Sequence, residues 1–251
     1  MPSCVMSEVT TDSLLDGRVT LLQPRKGHRA GTDAVLLAAA APVRAGDTVI
    51  DVGAATGAVG LMVAAREKAA RLVFVERDPD LAELCRRNCR DNGVDATVAV
   101  ADVLDRAARR AAGLVAEIAD LVLTNPPFLE EGRSRLSPDP GRSAAHALPA
   151  GGLEVWLAAC IGLLRPGGRL VLIHRADRLG ECLAAVTGRL GDLAVRFVHP
   201  AADRPAIRLL LSGTKGSRAP LAVLPPLVLH GPDGSFTPLA AAIHRGEAGL
   251  P

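Results

Sequence analysis

The sequence predicts an α/β protein built on a doubly wound, mostly parallel sheet. From about residue 46 onward, short apolar runs alternate with longer stretches of helical periodicity. This order is typical of parallel strands joined by right-handed helical crossovers. The apolar runs are hydrophobic nearly throughout, as expected when helices cover both faces of the sheet.

Local signals place each element in order. The strand at 47–53 (DTVIDVG) ends in glycine and precedes a helix at 58–70, and the strand at 71–76 precedes an amphipathic helix that ends at Asn92-Gly93. Further strands are predicted at 96–102, 119–124, 169–174, 193–200 and 206–214, with helices between 102 and 119, at 152–164 and at 178–190. The sequence RPGG at 165–168 predicts a turn.

The chain divides into three predicted parts. Residues 1–45 form an N-terminal segment with a basic turn and a helix capped by Thr32 or Asp33. Residues 46–213 form the core, and residues 214–251 form a Pro- and Gly-rich tail that we expect to pack on the sheet edge. Within the core, the long polar loop at 129–150 is of a length that is usually functional in compact domains.

Composition narrows the class of protein. The net charge of +2 is too small to indicate a nucleic-acid-binding protein by itself. Arginines far outnumber lysines, a bias that suits phosphate binding but also arises from an alanine- and arginine-rich genome. The odd number of cysteines argues against a disulfide framework, and Cys85 and Cys89 share a helix face without a second ligand pair, so no metal site is predicted.

The chain carries no pattern for export or membrane insertion. Its first residues lack the basic-then-apolar order of a signal peptide, and the apolar run that stops at Pro42 is too short to span a membrane. We therefore expect a cytoplasmic protein with no membrane partner. The oligomeric state does not follow from the sequence.

Glycines and polar residues follow four successive predicted strands. The first strand leads into a loop between Gly53 and Gly57, and the next three end at Glu76, Asp102 and Asn125. Ligands of open parallel sheets bind outside the carboxyl ends of the strands, where glycines let the backbone approach and a carboxylate suits ribose hydroxyls. Plainer alternatives are a solvated turn at Glu76, a helix cap at Asp102 and a tight turn without a ligand at the glycines.

The fourth strand is followed by Asn125-Pro126-Pro127-Phe128. Two prolines can simply end a strand. A rigid turn that carries an amide and an aromatic ring is also suited to holding a flat, amine-bearing ring.

These motifs, in this order, resemble the class I S-adenosylmethionine-dependent methyltransferases with a Rossmann-like fold, in the branch that methylates exocyclic or amide nitrogens. The segments 23–42 and 199–238 are further similar to the bacterial tRNA(Val) adenine-N6 methyltransferases. The resemblance covers about residues 20 to 240. It implies a seven-stranded sheet with the last strand antiparallel, S-adenosylmethionine as cofactor, and RNA, above all tRNA, as partner.

The resemblance also implies site residues. Gly53 to Gly57 would hold the methionine part of the cofactor, Glu76 the ribose and Asp102 the adenine amine. The full set of implied cofactor-binding residues is Gly31, Thr32, Asp33, Asp51, Gly53, Ala54, Ala55, Gly57, Glu76, Arg77, Ala101, Asp102, Val103 and Asn125. Of these, Gly31-Thr32-Asp33 would close over the cofactor.

The implied catalytic residues are Asn125, Pro126, Pro127 and Phe128. The Asn125 Oδ1 and the Pro126 carbonyl would accept the two N–H groups of a target amine. This would localise the nitrogen lone pair and stabilise the positive charge that develops on nitrogen. Phe128 would stack on the ring and align it with the methyl group.

Ala55 departs from the family pattern, which has glycine at the middle of this loop. A positive φ at this position would be strained for alanine. We expect Ala55→Gly to tighten cofactor binding and to lower stability slightly, because glycine loosens the unfolded chain.

The residues predicted to contact RNA phosphates are Arg25, Lys26, His28, Arg29, Arg133, Arg135 and Arg142. The alternative is a solvated surface in an arginine-rich protein.

Three other functions stay open at this point. A protein-glutamine N5-methyltransferase also uses Asn-Pro-Pro with an aromatic ring, but that family carries a helical domain for which 45 residues ahead of the core are too few. A ribosomal-RNA base N-methyltransferase is the second alternative. The third is a non-catalytic RNA-binding protein that lost cofactor affinity through Ala55.

Overall fold

The computed structural model of the chain describes residues 8–26, 29–127, 129–130, 147–148 and 152–250. The strands in these ranges are β1 (Val9–Leu14), β2 (Val19–Pro24), β3 (Thr48–Val52), β4 (Arg71–Glu76), β5 (Ala96–Val100), β6 (Ala119–Thr124), β7 (Leu129–Glu130), β8 (Ala147–Leu148), β9 (Leu164–Arg175), β10 (Leu190–Ala201), β11 (Arg208–Lys215), β12 (Ala222–Val223) and β13 (Leu227–His230). The helices are α1 (Thr32–Ala39), α2 (Ala58–Arg66), α3 (Pro79–Asp91), α4 (Arg106–Ala111), α5 (Gly152–Leu163), α6 (Leu179–Val186) and α7 (Pro238–His244).

The central sheet has the strand order β5-β4-β3-β6-β9-β11-β10. Strands β5, β4, β3, β6 and β9 run parallel to one another, whereas β11 runs antiparallel to both β9 and β10. The predicted doubly wound sheet of seven strands, with the last one antiparallel, is confirmed. The chain order reverses between β3 and β6, which makes the carboxyl ends of these two strands the expected ligand-binding crevice.

The C-terminal tail adds two strands that the sequence analysis did not predict. Both β12 and β13 pair in parallel with β10, so the sheet has nine strands. Strands of two and four residues among prolines carry too little periodic pattern to be recognised from sequence.

The segment 165–168, predicted as a turn, lies within β9 as an irregularity of the strand. The pairing of β9 with β6 moves from Ala119↔Leu164 to Leu121↔Arg169, so these residues have no direct partners on β6. A Cβ on Gly168 would lie 2.8 Å from the Ala119 carbonyl oxygen, and this close approach requires glycine.

Helices cover both faces of the sheet, each over its own hydrophobic cluster. One cluster contains Leu36, Met62 and Phe74, and the other contains Leu157 and Leu172; all five side chains are fully buried. These continuous apolar strands and their helical covers are what the sequence pattern predicted.

Helix α1 begins without the predicted cap. Gly31 occupies the N-cap position, and no side chain accepts a hydrogen bond from the first turn. Asp33 instead receives the Arg208 Nε–H at 2.8 Å, in an ion pair with β11. The cap prediction was therefore wrong, because a distant arginine engages the carboxylate.

A β-hairpin formed by β1 and β2 precedes α1, and the sequence analysis did not predict it. Its inner strand docks on two amides of α3. The Asn88 Oδ1 accepts the Leu22 N–H at 2.7 Å, and the Asn92 Oδ1 accepts the Thr20 N–H at 2.9 Å. Positions i and i+4 of a helix rise by about 6 Å, close to the rise of about 6.7 Å over two strand residues. The two asparagines therefore bind alternate residues of β2.

Within the described ranges, no helix combines the length and the apolar character needed to cross a bilayer. The same residues contain no group of three or more His, Cys, Asp or Glu side chains placed to hold a metal ion.

Candidate active site

Four parallel strands present their next residues to one space. Val52, Val75, Ala99 and Thr124 are register partners across β3, β4, β5 and β6. The residues that follow them on β3, β4 and β6 are Gly53, Glu76 and Asn125, and Asp102 lies three positions beyond Ala99. The structure therefore brings together the strand-end residues that the sequence singled out.

The loop after β3 has a backbone that only small residues adopt. Gly53 and Gly57 have φ values of 73° and 89°, and Gly57 is the N-cap of α2. A Cβ on Gly57 would lie 2.7 Å from the Cys85 Sγ, closer than real Cβ contacts allow. Both glycines are required by the fold, and they leave the start of α2 free of side chains on this side.

Ala55, between these glycines, has a φ of 49°. The left-handed region costs a residue with a Cβ about 1–2 kcal/mol. The sequence analysis considered a positive φ at Ala55, and the structure has it: alanine occupies a position whose backbone favours glycine.

The Glu76 carboxylate holds this loop in place. Its Oε2 accepts the Ala55 N–H at 2.8 Å, and its Oε1 accepts the Asp78 N–H at 2.9 Å. Burial raises the pKa of Glu76, while the two backbone hydrogen bonds act in the opposite direction. The alternative of a solvated turn fails, because the side chain is buried and bonded on both oxygens.

Asp51 lies beneath the loop and is fully buried. Its Oδ2 accepts the Gly60 N–H of α2 at 3.1 Å. Burial raises the pKa of Asp51 from 3.8 to about 7, the Gly60 hydrogen bond lowers it, and the nearby Glu76 raises it further. Asp51 is predicted from the sequence to bind the cofactor, and in the structure its carboxylate hydrogen-bonds to the backbone of α2.

Asp102 does not cap the following helix, α4, which was the plainer alternative for this residue. Its Oδ1 accepts the Leu104 N–H at 2.9 Å, whereas Asp105 caps α4 by accepting the Ala107 and Ala108 N–H groups. Asp102 is half-buried at the carboxyl end of β5 between the buried Ala101 and Val103.

Asn125 carries an acceptor without a partner. Its Oδ1 is shielded from solvent and accepts no hydrogen bond from any described group. Leaving a buried polar group unsatisfied costs about 1–3 kcal/mol. Pro126 is buried beside it, and Phe128 lies outside the described residues. Among the described residues, the Asn125 Oδ1 is therefore a buried acceptor that a ligand N–H could satisfy.

Trp156 supports the site from below, and the sequence analysis did not assign it a role. Its Nε1–H donates to the Thr124 Oγ1 at 2.9 Å, and Thr124 donates to the Val52 carbonyl at 3.0 Å. The Trp156 ring lies 3.2 Å from where a Cβ on Gly53 would stand. One side chain of α5 thus fixes the ends of β3 and β6 relative to each other. An isolated tryptophan in a helical pattern gives no sequence signal for this role.

The segment ahead of α1 is tied to the hairpin. The Gln23 Oε1 accepts the Ala30 N–H at 2.8 Å, and Arg29 donates to Asp12 at 2.6 Å. Gly31, Thr32 and Asp33 follow directly, with Asp33 held by Arg208.

The predicted RNA-binding cations differ in their surroundings. Arg25 pairs with Glu8 at 2.7 Å on the exposed surface, Arg29 is engaged by Asp12, and Lys26 is exposed. Arg77, predicted beside the cofactor, is also exposed. Four further predicted residues lie outside the described ranges: His28, Arg133, Arg135 and Arg142.

Comparison with known proteins gives consistent matches. The family model described as the methyltransferase small domain matches residues 29–179. A Porphyromonas gingivalis tRNA1(Val) (adenine(37)-N6)-methyltransferase is 33% identical over 221 residues, 84% of each chain. A release factor glutamine methyltransferase of Mycolicibacterium smegmatis is 32% identical over 81% of this chain and 66% of its own.

A crystal structure from Agrobacterium tumefaciens, described as that of a predicted O-methyltransferase, superposes with a TM-score of 0.73. Its sequence is 33% identical, and the match covers 87% of this chain and 98% of that one. The similarity therefore extends across the sheet, its helices and the candidate site.

The positive φ of Ala55 reverses the stability effect expected from the sequence. Ala55→Gly removes about 1–2 kcal/mol of native strain and adds about 0.4–1 kcal/mol of unfolded-state entropy. We expect a net gain of about 0.5–1 kcal/mol in the free energy of unfolding, measured by denaturant titration. Ala54→Gly is the matched control, since Ala54 is buried without a positive φ, and it should destabilise. Equal losses in both variants would contradict this account.

Asp51 gives stability a defined pH dependence. Since its carboxyl keeps a proton up to about pH 7 in the folded state but loses it near 3.8 when unfolded, the folded state binds more protons between these values. Its contribution to stability therefore falls as pH rises from about 4 to about 7. Thermal unfolding of Asp51→Asn from pH 5 to 8 should show a smaller decline than wild type. The exposed Asp95→Asn serves as control, and parallel curves for all three proteins would refute the assignment.

Proposed function

The chain belongs to the methyltransferase small-domain family, and from that premise we propose that it methylates the N6 amine of an adenine in tRNA. Its cofactor is S-adenosylmethionine. The P. gingivalis relative, named for adenine 37 of tRNA1(Val), makes that position the first to test. The observation that carries the proposal is the shielded Asn125 Oδ1, which accepts no hydrogen bond from the described part of the protein.

The residues at the sheet edge fit the cofactor. Gly53 and Gly57 keep the loop free of Cβ atoms, and the buried Glu76 carboxylate is oriented by two backbone N–H groups. We assign the methionine part to the loop, the ribose hydroxyls to Glu76 and the adenine amine to Asp102. S-adenosylmethionine, when bound, supplies an electrophilic methyl group on a sulfonium.

Asn125 acts on the acceptor nitrogen. The lone pair of an aryl amine is delocalised into the ring, so the amine is a weak nucleophile. The Asn125 Oδ1 and the Pro126 carbonyl accept its two N–H groups and stabilise positive charge as the nitrogen reacts. A neutral amide performs this role without a buried charge, and the proton leaves to solvent after transfer.

Thr124 and Trp156 keep this acceptor in position. The Thr124 hydroxyl is bonded to both the Trp156 indole and the Val52 carbonyl, so the residues just before Gly53 and Asn125 are joined by one hydroxyl. Positioning of this kind lowers the entropic part of the barrier. Phe128, which follows Asn125-Pro126-Pro127 in the sequence, is assigned to stack on the base.

The side-chain amide of a glutamine in a protein substrate is the alternative acceptor of the methyl group. The M. smegmatis enzyme shares 32% identity, but the match covers 66% of its length against 84% for the tRNA enzyme. This difference in coverage favours the tRNA assignment.

Labelled methyl transfer separates the candidates. The wild-type protein and labelled S-adenosylmethionine are incubated in parallel with total tRNA, total rRNA and a release factor. We expect label in tRNA, recovered as N6-methyladenosine after nuclease digestion. Label in the release factor or in rRNA alone would overturn the proposal in favour of the corresponding alternative.

Asn125→Ala should reduce kcat by roughly two to three orders of magnitude, the scale for one preorganised charge-stabilising contact. Cofactor affinity should change by less than about tenfold, because the contact strengthens only as charge develops. Single-turnover transfer at saturating cofactor measures the first effect. Emission of Trp156, the only tryptophan, reports cofactor binding beside Gly53.

Asn92→Ala is the matched control for that experiment. It deletes the same amide from a residue that holds only the hairpin and α3 backbone, so it should lower stability without lowering kcat at saturation. A folded Asn125→Ala protein with near wild-type transfer would reduce the Pro-Pro turn to a strand terminator.

A further inference from the structure

We propose that helix α4 forms a second RNA-binding surface, which contacts the phosphate backbone through Arg106, Arg109 and Arg110. These three residues are called the α4 arginine surface below. The inference rests on the proposed function, since it assumes an RNA substrate, and it adds a contact region that the motifs do not include.

Packing on the core accounts for Ala108 of this helix but not for its three arginines. None of its six residues is buried. It is held at its start by the Asp105 cap and at its end by the Leu114 N–H, which donates to the Arg109 carbonyl at 2.9 Å. The buried Leu114 then returns the chain to the core. Arg106 and Arg110 are exposed and Arg109 is half-buried, so the first two are the most available for contacts outside the fold.

Arg109 and Arg110 lie in the last turn of α4, where the helix dipole favours cations, but Arg106 and the spacing among the three are unfavourable for the isolated protein. Arg106 is the first helical residue, where the helix dipole disfavours a cation. Its spacing to Arg109 and Arg110 is i,i+3 and i,i+4, at which like charges repel. An arrangement that opposes local stability indicates a role elsewhere.

Among the described residues, no carboxylate forms an ion pair with the α4 arginine surface. On α3, by contrast, Arg86 and Arg90 both form ion pairs with Glu83. The predicted N-terminal cations Arg25 and Arg29 are likewise paired with acids. The α4 arginine surface thus presents three uncompensated positive charges, which complement phosphates.

The location matches an approach to the acceptor. The loop that begins with Asp102 leads directly into α4, and the chain then returns as β6 to Asn125. Helix α4 starts after the carboxyl end of β5 and leads toward Ala119, where β6 begins at the opposite edge, so Arg106 lies nearest the cofactor edge and Arg110 lies about 6 Å farther along the helix. An RNA whose base enters at Asn125 can place backbone phosphates along α4.

The test compares two triple charge reversals. The first is Arg106→Glu, Arg109→Glu and Arg110→Glu. The second is Arg44→Glu, Lys68→Glu and Arg218→Glu, which makes the same change in net charge. Its three residues are exposed, without described ion pairs, at the opposite edge of the sheet. Binding to total tRNA and, separately, to a release factor is titrated at several salt concentrations, with Trp156 emission reporting cofactor affinity.

We expect the first variant to lose at least about tenfold in tRNA affinity and to flatten the salt slope by about 2–3 units. Cofactor affinity should be unchanged, and the second variant should keep the wild-type slope. If circular dichroism shows that the triple Arg→Glu variant is unfolded, a triple Arg→Gln variant of α4 replaces it. The Arg→Gln variant should also lose tRNA affinity and have a flatter salt slope.

Four results would overturn the inference. An unchanged slope in the α4 variant, with wild type binding and methylating tRNA, would refute the surface alone. Equal losses in the two variants would assign the effect to net charge. Lost release-factor binding with unchanged tRNA binding would assign the surface to a protein partner. Wild-type protein that neither binds nor methylates tRNA would overturn the proposed function together with the inference.

Discussion

Val52, Val75, Ala99 and Thr124 lie in one hydrogen-bonded row, and the chemistry of the protein depends on this shared register. Because parallel strands end in the same direction, the residues after this row face one crevice where the strand order reverses. A slip of one residue in any strand would turn its end group to the opposite face. The large apolar clusters on both faces make such a slip costly, so burial far from the site fixes its geometry.

The polar groups of the site divide into those satisfied by the protein and one that is not. Glu76 and Asp51 receive backbone N–H groups, and the pKa of each carboxyl is raised by burial. The Trp156 indole donates a hydrogen bond to the Thr124 hydroxyl, which in turn donates to the Val52 carbonyl. Only Asn125 keeps a shielded oxygen with no described donor. This contrast is the reason why Asn125 is the residue proposed to accept the N–H groups of the target amine.

Sequence pattern predicted the seven core strands, because their continuous hydrophobicity is decided by burial. It did not predict the hairpin, since the inner strand is held by the Asn88 and Asn92 side chains and these pairings leave no periodic signal. The strand-end residues lie together as predicted, and their roles remain predictions; the hydrogen bond of Asp51 to the α2 backbone and the contacts of Trp156 were not predicted, because neither leaves a motif. The capping prediction for α1 failed because Arg208 is distant in sequence and adjacent in space.

Asn88 joins two regions that are far apart in the chain. Besides Leu22 of the hairpin, its Nδ2 donates to the Thr56 carbonyl in the glycine loop at 2.9 Å. Any ligand that restrains Thr56 therefore also restrains the N-terminal strands, and by thermodynamic reciprocity an ordered hairpin favours that ligand. Local opening of the hairpin over residues 9–24 and occupancy of the loop are consequently parts of one equilibrium, with the buried Asn88 amide as one link between them.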